Sequence, residues 1–238
     1  MNIPINKLAR IGGALYLIII TAGIYGEMFV RAKLVVSADA AAMANNIIAS
    51  PLLWRSGIAA DLLMHICDLP LMLIFYLLLK PVNKNLALLA LLFNLVQTAV
   101  LVANKLNLVV ALFPLGDAGY LKAFDPQQLY TLTYLSIRAH GYGFGIGLIF
   151  FGFTCLIAGY LIFKSGYLPK AIGILMQLAG TCYLVNSFAL ILSPSLADKL
   201  FPVILIPPFI AELSFCLWLL FKGVKLSAWE KRIAVTNI

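Results

Sequence analysis

The sequence predicts an all-α membrane protein, a polytopic bundle of six transmembrane helices with both termini in the cytoplasm. Apolar residues make up 63% of the 238 residues and charged residues 11%, against about 25% charged in soluble domains. The mean hydropathy is +1.02. The apolar residues form long blocks, each close to the roughly 20 residues that a bilayer core requires. A single membrane domain over residues 1–238 follows.

Six apolar blocks define the spans, and polar segments define the connections. The predicted spans are about 11–30, 54–79, 86–110, 143–163, 171–190 and 202–221, with a polar, basic tail over 222–238. The first block follows Lys7 and Arg10 and ends without a small-residue cleavage site, so we predict a retained span rather than a signal peptide. In the loop that follows, which begins at Arg31, residues 39–48 can form a short surface helix.

Prolines and capping residues set further boundaries. Ser50-Pro51 is an N-cap followed by proline at the first helical position, so the helix of the second span begins there. Asp125–Gln128 adds a capping box to the same pattern. The fourth helix is therefore longer than a bilayer needs, and its first turns project outside. Pro207-Pro208 is open to two interpretations: a kink that frees backbone carbonyls, or an early helical turn, where proline costs little.

The distribution of charge predicts the orientation. Basic residues collect at one set of span ends, namely Lys7, Arg10, Lys80, Lys84, Lys164, Lys170, Lys222, Lys225, Lys231 and Arg232. Aspartates fall in the opposite loops, at Asp39, Asp117, Asp125 and Asp198. Because cytoplasmic loops carry the excess of lysine and arginine, the termini are predicted to be cytoplasmic. The net charge of +8 therefore needs no nucleic-acid partner.

The second span carries three ionisable residues, Asp61, His65 and Asp68, at spacings that place them on one helix face. Such groups are costly inside a membrane and persist where they face partners or water. Counted by depth, Asp68 and Glu212 reach the midplane. We therefore predict an outward-opening pocket with these two acids as its floor and Lys105 as their counter-charge. Its predicted members are Asp61, His65, Asp68, Lys105, His140 and Glu212, with Glu27, Gln97, Arg138 and Asn186 as secondary members.

Two structural interpretations compete with the pocket. The charged residues could form ion pairs that hold helices together, since buried charges are tolerated when they are paired. The four glycines Gly141, Gly143, Gly145 and Gly147 favour close helix packing over a flexible break beside a site.

Several functions fit this pattern, and the sequence leaves open whether the protein is an enzyme. The first is binding or transport of a small cationic or amphipathic ligand, with proton coupling through Asp68 and Glu212. An alternative is an intramembrane enzyme on a lipid-like substrate, either a metal-dependent hydrolase or a carboxylic acid acting on an isoprenoid. A third is a non-catalytic protein that binds envelope lipids or assists assembly. The expected partners are membrane lipids and a small-molecule or lipid-like ligand.

No cofactor and no metal are expected. A zinc site would draw on Asp61, His65 and His140, but the chain has two histidines in all, too few for the usual ligand sets without more acids. The four cysteines, Cys67, Cys155, Cys182 and Cys216, lie in apolar blocks without paired spacing, which disfavours both a disulfide framework and a cysteine zinc site.

Several phrases together resemble a bacterial multi-pass family catalogued as domain of unknown function 4386. They include Arg10–Tyr16, Gly57–Asp61, Leu79–Leu89, Ala123–Pro126, Gly159–Pro169 and Glu212–Leu220. The resemblance covers about 8–224 and implies a bacterial plasma-membrane protein with about six spans. It carries over no functional residue. His65 departs from the family pattern, which weakens the zinc hypothesis further.

Overall fold

The computed structural model describes residues 4–236, which are helical apart from short connections. The helices are α1 (Ile5–Ile24), α2 (Ala40–Ala49), α3 (Pro51–Leu79), α4 (Lys84–Val110), α5 (Pro126–Ser165), α6 (Lys170–Leu192), α7 (Pro194–Leu200), α8 (Ile206–Phe221) and α9 (Leu226–Thr236). Six helical segments of the described chain, built on α1, α3, α4, α5, α6 and α8, are long and apolar enough to cross a membrane. The predicted all-helical, six-span class is confirmed.

The first span is longer than predicted. Beyond Ile24 the chain continues as a π-helical segment, Tyr25–Arg31, and one further α-turn, Ala32–Leu34. Arg31 therefore lies on a helix, not in the predicted loop. Hydropathy falls before Arg31, but no proline follows Ile24 to stop the helix, so the backbone remains helical past the apolar block.

The short helix predicted after the first span is present as α2. Asp39 caps it, since its side chain accepts a hydrogen bond from the backbone N–H of Ala42 at 2.8 Å. One face of α2 is exposed at Ile48, and the opposite face is buried. Met43, Ala44 and Ile47 are fully buried, because their spacings of one, three and four residues give α2 an apolar face that packs into the core.

The fourth and sixth spans settle two further predictions. α5 is a continuous helix of 40 residues, about 60 Å at 1.5 Å per residue, so the predicted extension of the fourth helix is confirmed. Pro207 and Pro208 lie in the first turn of α8, after a 3₁₀ turn at Val203–Leu205. The interpretation as an early turn therefore holds, and no carbonyl of α8 loses a partner to these prolines.

The predicted polar tail contains a helix, α9, that was not predicted from the sequence. The last two residues of the tail, 237–238, lie outside the described range. Trp229 is buried and packs edge-on against Tyr167, with ring centroids 4.9 Å apart. Arg232 Nε donates to the carbonyl of Pro81 at 3.1 Å. Burial raises the pKa of Tyr167 above its usual range, so its hydroxyl remains a donor to the carbonyl of Leu78.

The chain forms two compact units that share several helices. Unit 1 comprises the described parts of Met1–Ile18, Cys67–Ala99 and Gly145–Ile238, and unit 2 comprises Ile19–Ile66 and Val100–Phe144. The core of unit 2 surrounds Trp54, which donates from Nε1 to the carbonyl of Leu108 at 3.0 Å. The core of unit 1 includes Tyr16, Phe75 and Phe215, with ring centroids 5.0–6.4 Å apart.

Glycines allow α5 and α6 to approach closely within unit 1. A Cβ on Gly173 would lie 2.7 Å from the carbonyl oxygen of Gly159, and one on Gly180 would lie 2.6 Å from that of Gly152. Both helices thus carry glycines seven residues apart on the contact face, which keeps two turns of each in register. Of the four glycines singled out from the sequence, Gly143 fits against Asn104, whereas Gly141 faces open space.

Candidate functional site

The structure divides the six predicted pocket residues between the two units. Asp61, His65, Lys105 and His140 lie in unit 2, whereas Asp68 and Glu212 lie in unit 1. A single pocket that all six share stays a prediction. Each unit contains a polar cluster of its own, with different chemistry.

The cluster of unit 2 is centred on Asp61, which forms ion pairs with two cationic side chains. Arg31 donates to both of its oxygens, at 2.7 Å from Nη1 and 3.3 Å from Nη2. Lys105 Nζ lies 2.9 Å from Oδ2, and the same ammonium lies 3.4 Å from Nε2 of His140. Asp61 is 0% and Lys105 3% exposed. We call Arg31, Asp61, Lys105 and His140 the basic cluster.

Arg31 is the member that the sequence analysis missed. It stands four residues after Glu27, and its Nε donates to that carboxylate at 2.7 Å. The Glu27 side chain is 63% exposed, whereas that of Arg31 is 13% exposed. Opposite charges four residues apart predict an ion pair on a helix. The pattern applies to Glu27 and Arg31 only if the helix continues past the apolar block. A π-helical segment at this point is also a feature that recurs at functional sites.

Gly26 gives the Arg31–Asp61 pair room against the backbone of the first span. It is buried, and a Cβ there would lie 2.6 Å from Asp61 Oδ1 and 3.1 Å from Arg31 Nη2. A methyl group therefore cannot fit without moving the paired charges.

We expect Gly26→Ala to lower the free energy of unfolding by about 1–3 kcal/mol, the usual cost of overpacking. The measurement is a denaturation titration in mixed micelles, followed by far-UV circular dichroism. Gly23→Ala is the matched control, because its Cβ would meet only Met64 Sδ at 3.4 Å, an ordinary contact. Equal stability of the two variants would contradict this packing argument.

Both predicted histidines are buried in unit 2, but their environments differ. The ring of His140 contacts Lys105, and its backbone carbonyl accepts a hydrogen bond from Asn104 Nδ2 at 2.9 Å. His65 lies one helical turn after Asp61, so it shares that face of α3. It is 3% exposed, and its Nε2 has no hydrogen-bond partner among the described residues. A buried polar atom of this kind needs an explanation.

A zinc site from Asp61, His65 and His140 is not supported by this arrangement. Asp61 directs its oxygens at Arg31 and Lys105. Within residues 4–236, no three His, Cys, Asp or Glu side chains are grouped as metal ligands would be.

The cluster of unit 1 has two carboxyl groups, and the first is Asp68 on α3. Its Oδ2 accepts hydrogen bonds from Asn94 Nδ2 at 2.8 Å and from Thr98 Oγ1. Asn94 and Thr98 are one turn apart on α4, which is why both reach the same oxygen. Asn94 is 0% exposed, and its other side-chain atom, Oδ1, has no partner in the described part of the chain.

The second carboxyl group is Glu212 on α8, which is half-buried. Tyr16 donates to its Oε2 at 3.0 Å, and Tyr183 donates to its Oε1. Over residues 4–236, no lysine, arginine or histidine forms an ion pair with Asp68 or Glu212. The counter-charge assignment of the sequence analysis is thereby corrected, because Lys105 pairs with Asp61.

The secondary residues are spread over both units. Gln97 is buried beside Thr98, with 3.4 Å between Oε1 and Oγ1. Asn186 is half-buried in unit 1. In unit 2, Arg138 is exposed and lies over the ring of Tyr142 at 5.9 Å.

This fold, with charged and acidic clusters buried along its spans, defines a six-span, all-helical integral membrane protein. The chain belongs to the family described as "Domain of unknown function (DUF4386)", which matches residues 11–223. It is also 30% identical over 171 residues to an "Uncharacterized protein" of Archaeoglobus fulgidus, covering 72% of this chain and 86% of that relative. No solved structure matches it. The resemblance is confirmed, while bacterial origin and the plasma membrane stay predictions.

Proposed function

We propose that the protein binds or transports a small cationic or amphipathic solute and that Asp68 and Glu212 take up protons in the process. The observation that carries this proposal is the neutral environment of both acids. Within residues 4–236, their hydrogen-bond partners are an amide and three hydroxyl groups. A carboxylate without a cation in a membrane span is costly, so it is held as the acid or exchanges its proton for a cationic ligand.

Asn94 supports a proton on Asp68. Its Nδ2 already donates to one carboxyl oxygen of Asp68, and its buried Oδ1 has no donor among the described residues. A protonated Asp68 supplies that donor, because an acid and a primary amide can form two complementary hydrogen bonds. We also propose a plasma-membrane location with cytoplasmic termini, supported by the basic residues at one set of span ends.

We expect the infrared spectrum of the purified protein at neutral pH to contain a protonated-carboxyl stretching band that Asp68→Asn removes. The physical reason is the neutral, buried environment of this group. Asp117→Asn is the control, since Asp117 is exposed in a loop. A wild-type spectrum without a band that depends on Asp68 would contradict proton storage there.

Transport is tested separately in proteoliposomes loaded with an acidic buffer and a pH-sensitive dye. Ethidium, a small amphipathic cation, is added outside. If uptake of the cation releases protons, luminal pH rises in the wild type and not in Asp68→Asn. No ethidium-dependent rise in the wild type would count against this solute class.

A further inference from the structure

The basic cluster of unit 2 holds more positive charge than its buried carboxylate neutralises. Arg31 and Lys105 both pair with Asp61. Among the described residues, the second acid, Glu27, forms an ion pair with Arg31 alone, through Nε, and its side chain is largely exposed. The buried Lys105 and the mostly buried Arg31 therefore depend on one buried anion and on one exposed carboxylate.

The donors in this cluster are only partly used. A guanidinium has five N–H groups and an ammonium has three. Among the described residues, Arg31 directs three contacts at Asp61 and Glu27, and Lys105 directs one at Asp61 and one at His140. His65 adds a buried ring nitrogen that has no partner in the described part of the chain. Its ring lies one helical turn after Asp61, on the same face of α3.

We propose that the basic cluster, together with His65, binds a phosphate group, carried either by a lipid headgroup or by a free solute. The remaining donors come from three elements: the extended first span, α3 and α4. A phosphate group is tetrahedral, so its oxygens can accept hydrogen bonds from several directions at once. Arginine and lysine side by side are the usual protein ligands of phosphate. Glu27 occupies Nε of Arg31 when the site is empty and is displaced when the phosphate group binds.

This inference is independent of proton uptake at Asp68, because it uses residues of unit 2 alone. The first test uses purified protein in a nonionic detergent and inorganic phosphate as the probe. Phosphate should raise the wild-type midpoint of thermal unfolding, since a ligand of the folded state stabilises it. Chloride at equal ionic strength should not. Absence of a phosphate effect in the wild type, in detergent and in the bilayers described below, overturns the proposal.

Glu27→Gln is the decisive variant, because its exposed side chain makes misfolding a small risk. It removes the competing carboxylate and should give the same midpoint shift at about two- to fivefold lower phosphate, the scale of an exposed ion pair. Arg31→Gln should abolish the shift if the variant folds. Arg55→Gln, which removes an exposed arginine of α3 in the same unit, should leave the shift unchanged. An unaltered response in Glu27→Gln, or an equal loss in Arg55→Gln, overturns the proposal.

A second arm identifies the source of the phosphate group. The protein is placed in nanodiscs of digalactosyldiacylglycerol, a lipid without phosphate, with or without phosphatidylglycerol. A headgroup ligand predicts that phosphatidylglycerol raises the midpoint and removes the response to inorganic phosphate. A free ligand predicts that inorganic phosphate acts equally in both bilayers. Either result supports the site and assigns its ligand.

Discussion

Asp61→Asn is expected to be among the most destabilising single substitutions in the protein, lowering the free energy of unfolding by about 3–5 kcal/mol. The reason is that Asp61 is the buried anion for both Arg31 and Lys105. An asparagine keeps the size of the side chain but leaves the buried Lys105 without an anion and leaves Arg31 with the exposed Glu27 alone. Denaturation in mixed micelles, followed by far-UV circular dichroism, gives the measurement.

A second variant distinguishes lost charge from lost packing. Adding Lys105→Met to Asp61→Asn removes one orphaned cation and should recover part of the loss, since Arg31 then retains Glu27. Asp117→Asn, an exposed site, should stay within about 0.5 kcal/mol of the wild type. If Asp61→Asn is as stable as Asp117→Asn, the basic cluster does not hold unit 2 together.

Gly173→Ala is expected to have the second large effect, a loss of about 3 kcal/mol, at the upper end of overpacking costs. Its Cβ would lie 2.6 Å from the backbone nitrogen of Phe163 and 2.7 Å from the carbonyl oxygen of Gly159. Both are main-chain atoms, so no side chain can rotate away. The added methyl group therefore forces α5 and α6 apart along their shared face.

Gly141→Ala is the control on α5, because nothing lies within 4 Å of its Cβ position. Alanine has the higher helix propensity, so this variant should be neutral or slightly more stable. The same mixed-micelle titration compares the two variants. If they unfold at the same denaturant concentration, the close approach at Gly159 and Gly173 does not contribute to stability.

The spans were predictable because hydropathy alone determines which segments are long and apolar enough to cross a bilayer. Pro51 marked the start of α3 because the chemistry of a first helical turn is local. α9 was missed for the opposite reason. Its sequence is polar and basic, and its position depends on Trp229 and Arg232, which contact residues distant in the chain.

The partners within the candidate site were harder to predict. Counting residues gives depth along a helix but no direction around it, so depth alone assigned Lys105 to Asp68 and Glu212. The structure pairs it with Asp61. Depth also ignored the tyrosines that bond to Glu212, since a hydroxyl in an aromatic side chain barely changes hydropathy. Arg31 was not predicted as a site residue because the apolar block ends before it, whereas the helix continues past it.

The placement of the three indoles in the chain gives each unit a native optical reporter. Trp54 belongs to the core of unit 2, whereas Trp218 and Trp229 belong to unit 1. Replacing the latter two with phenylalanine leaves fluorescence from Trp54 alone, and the reciprocal variant isolates emission from unit 1. Thermal unfolding of the two forms in parallel would show which unit unfolds first, without an added dye.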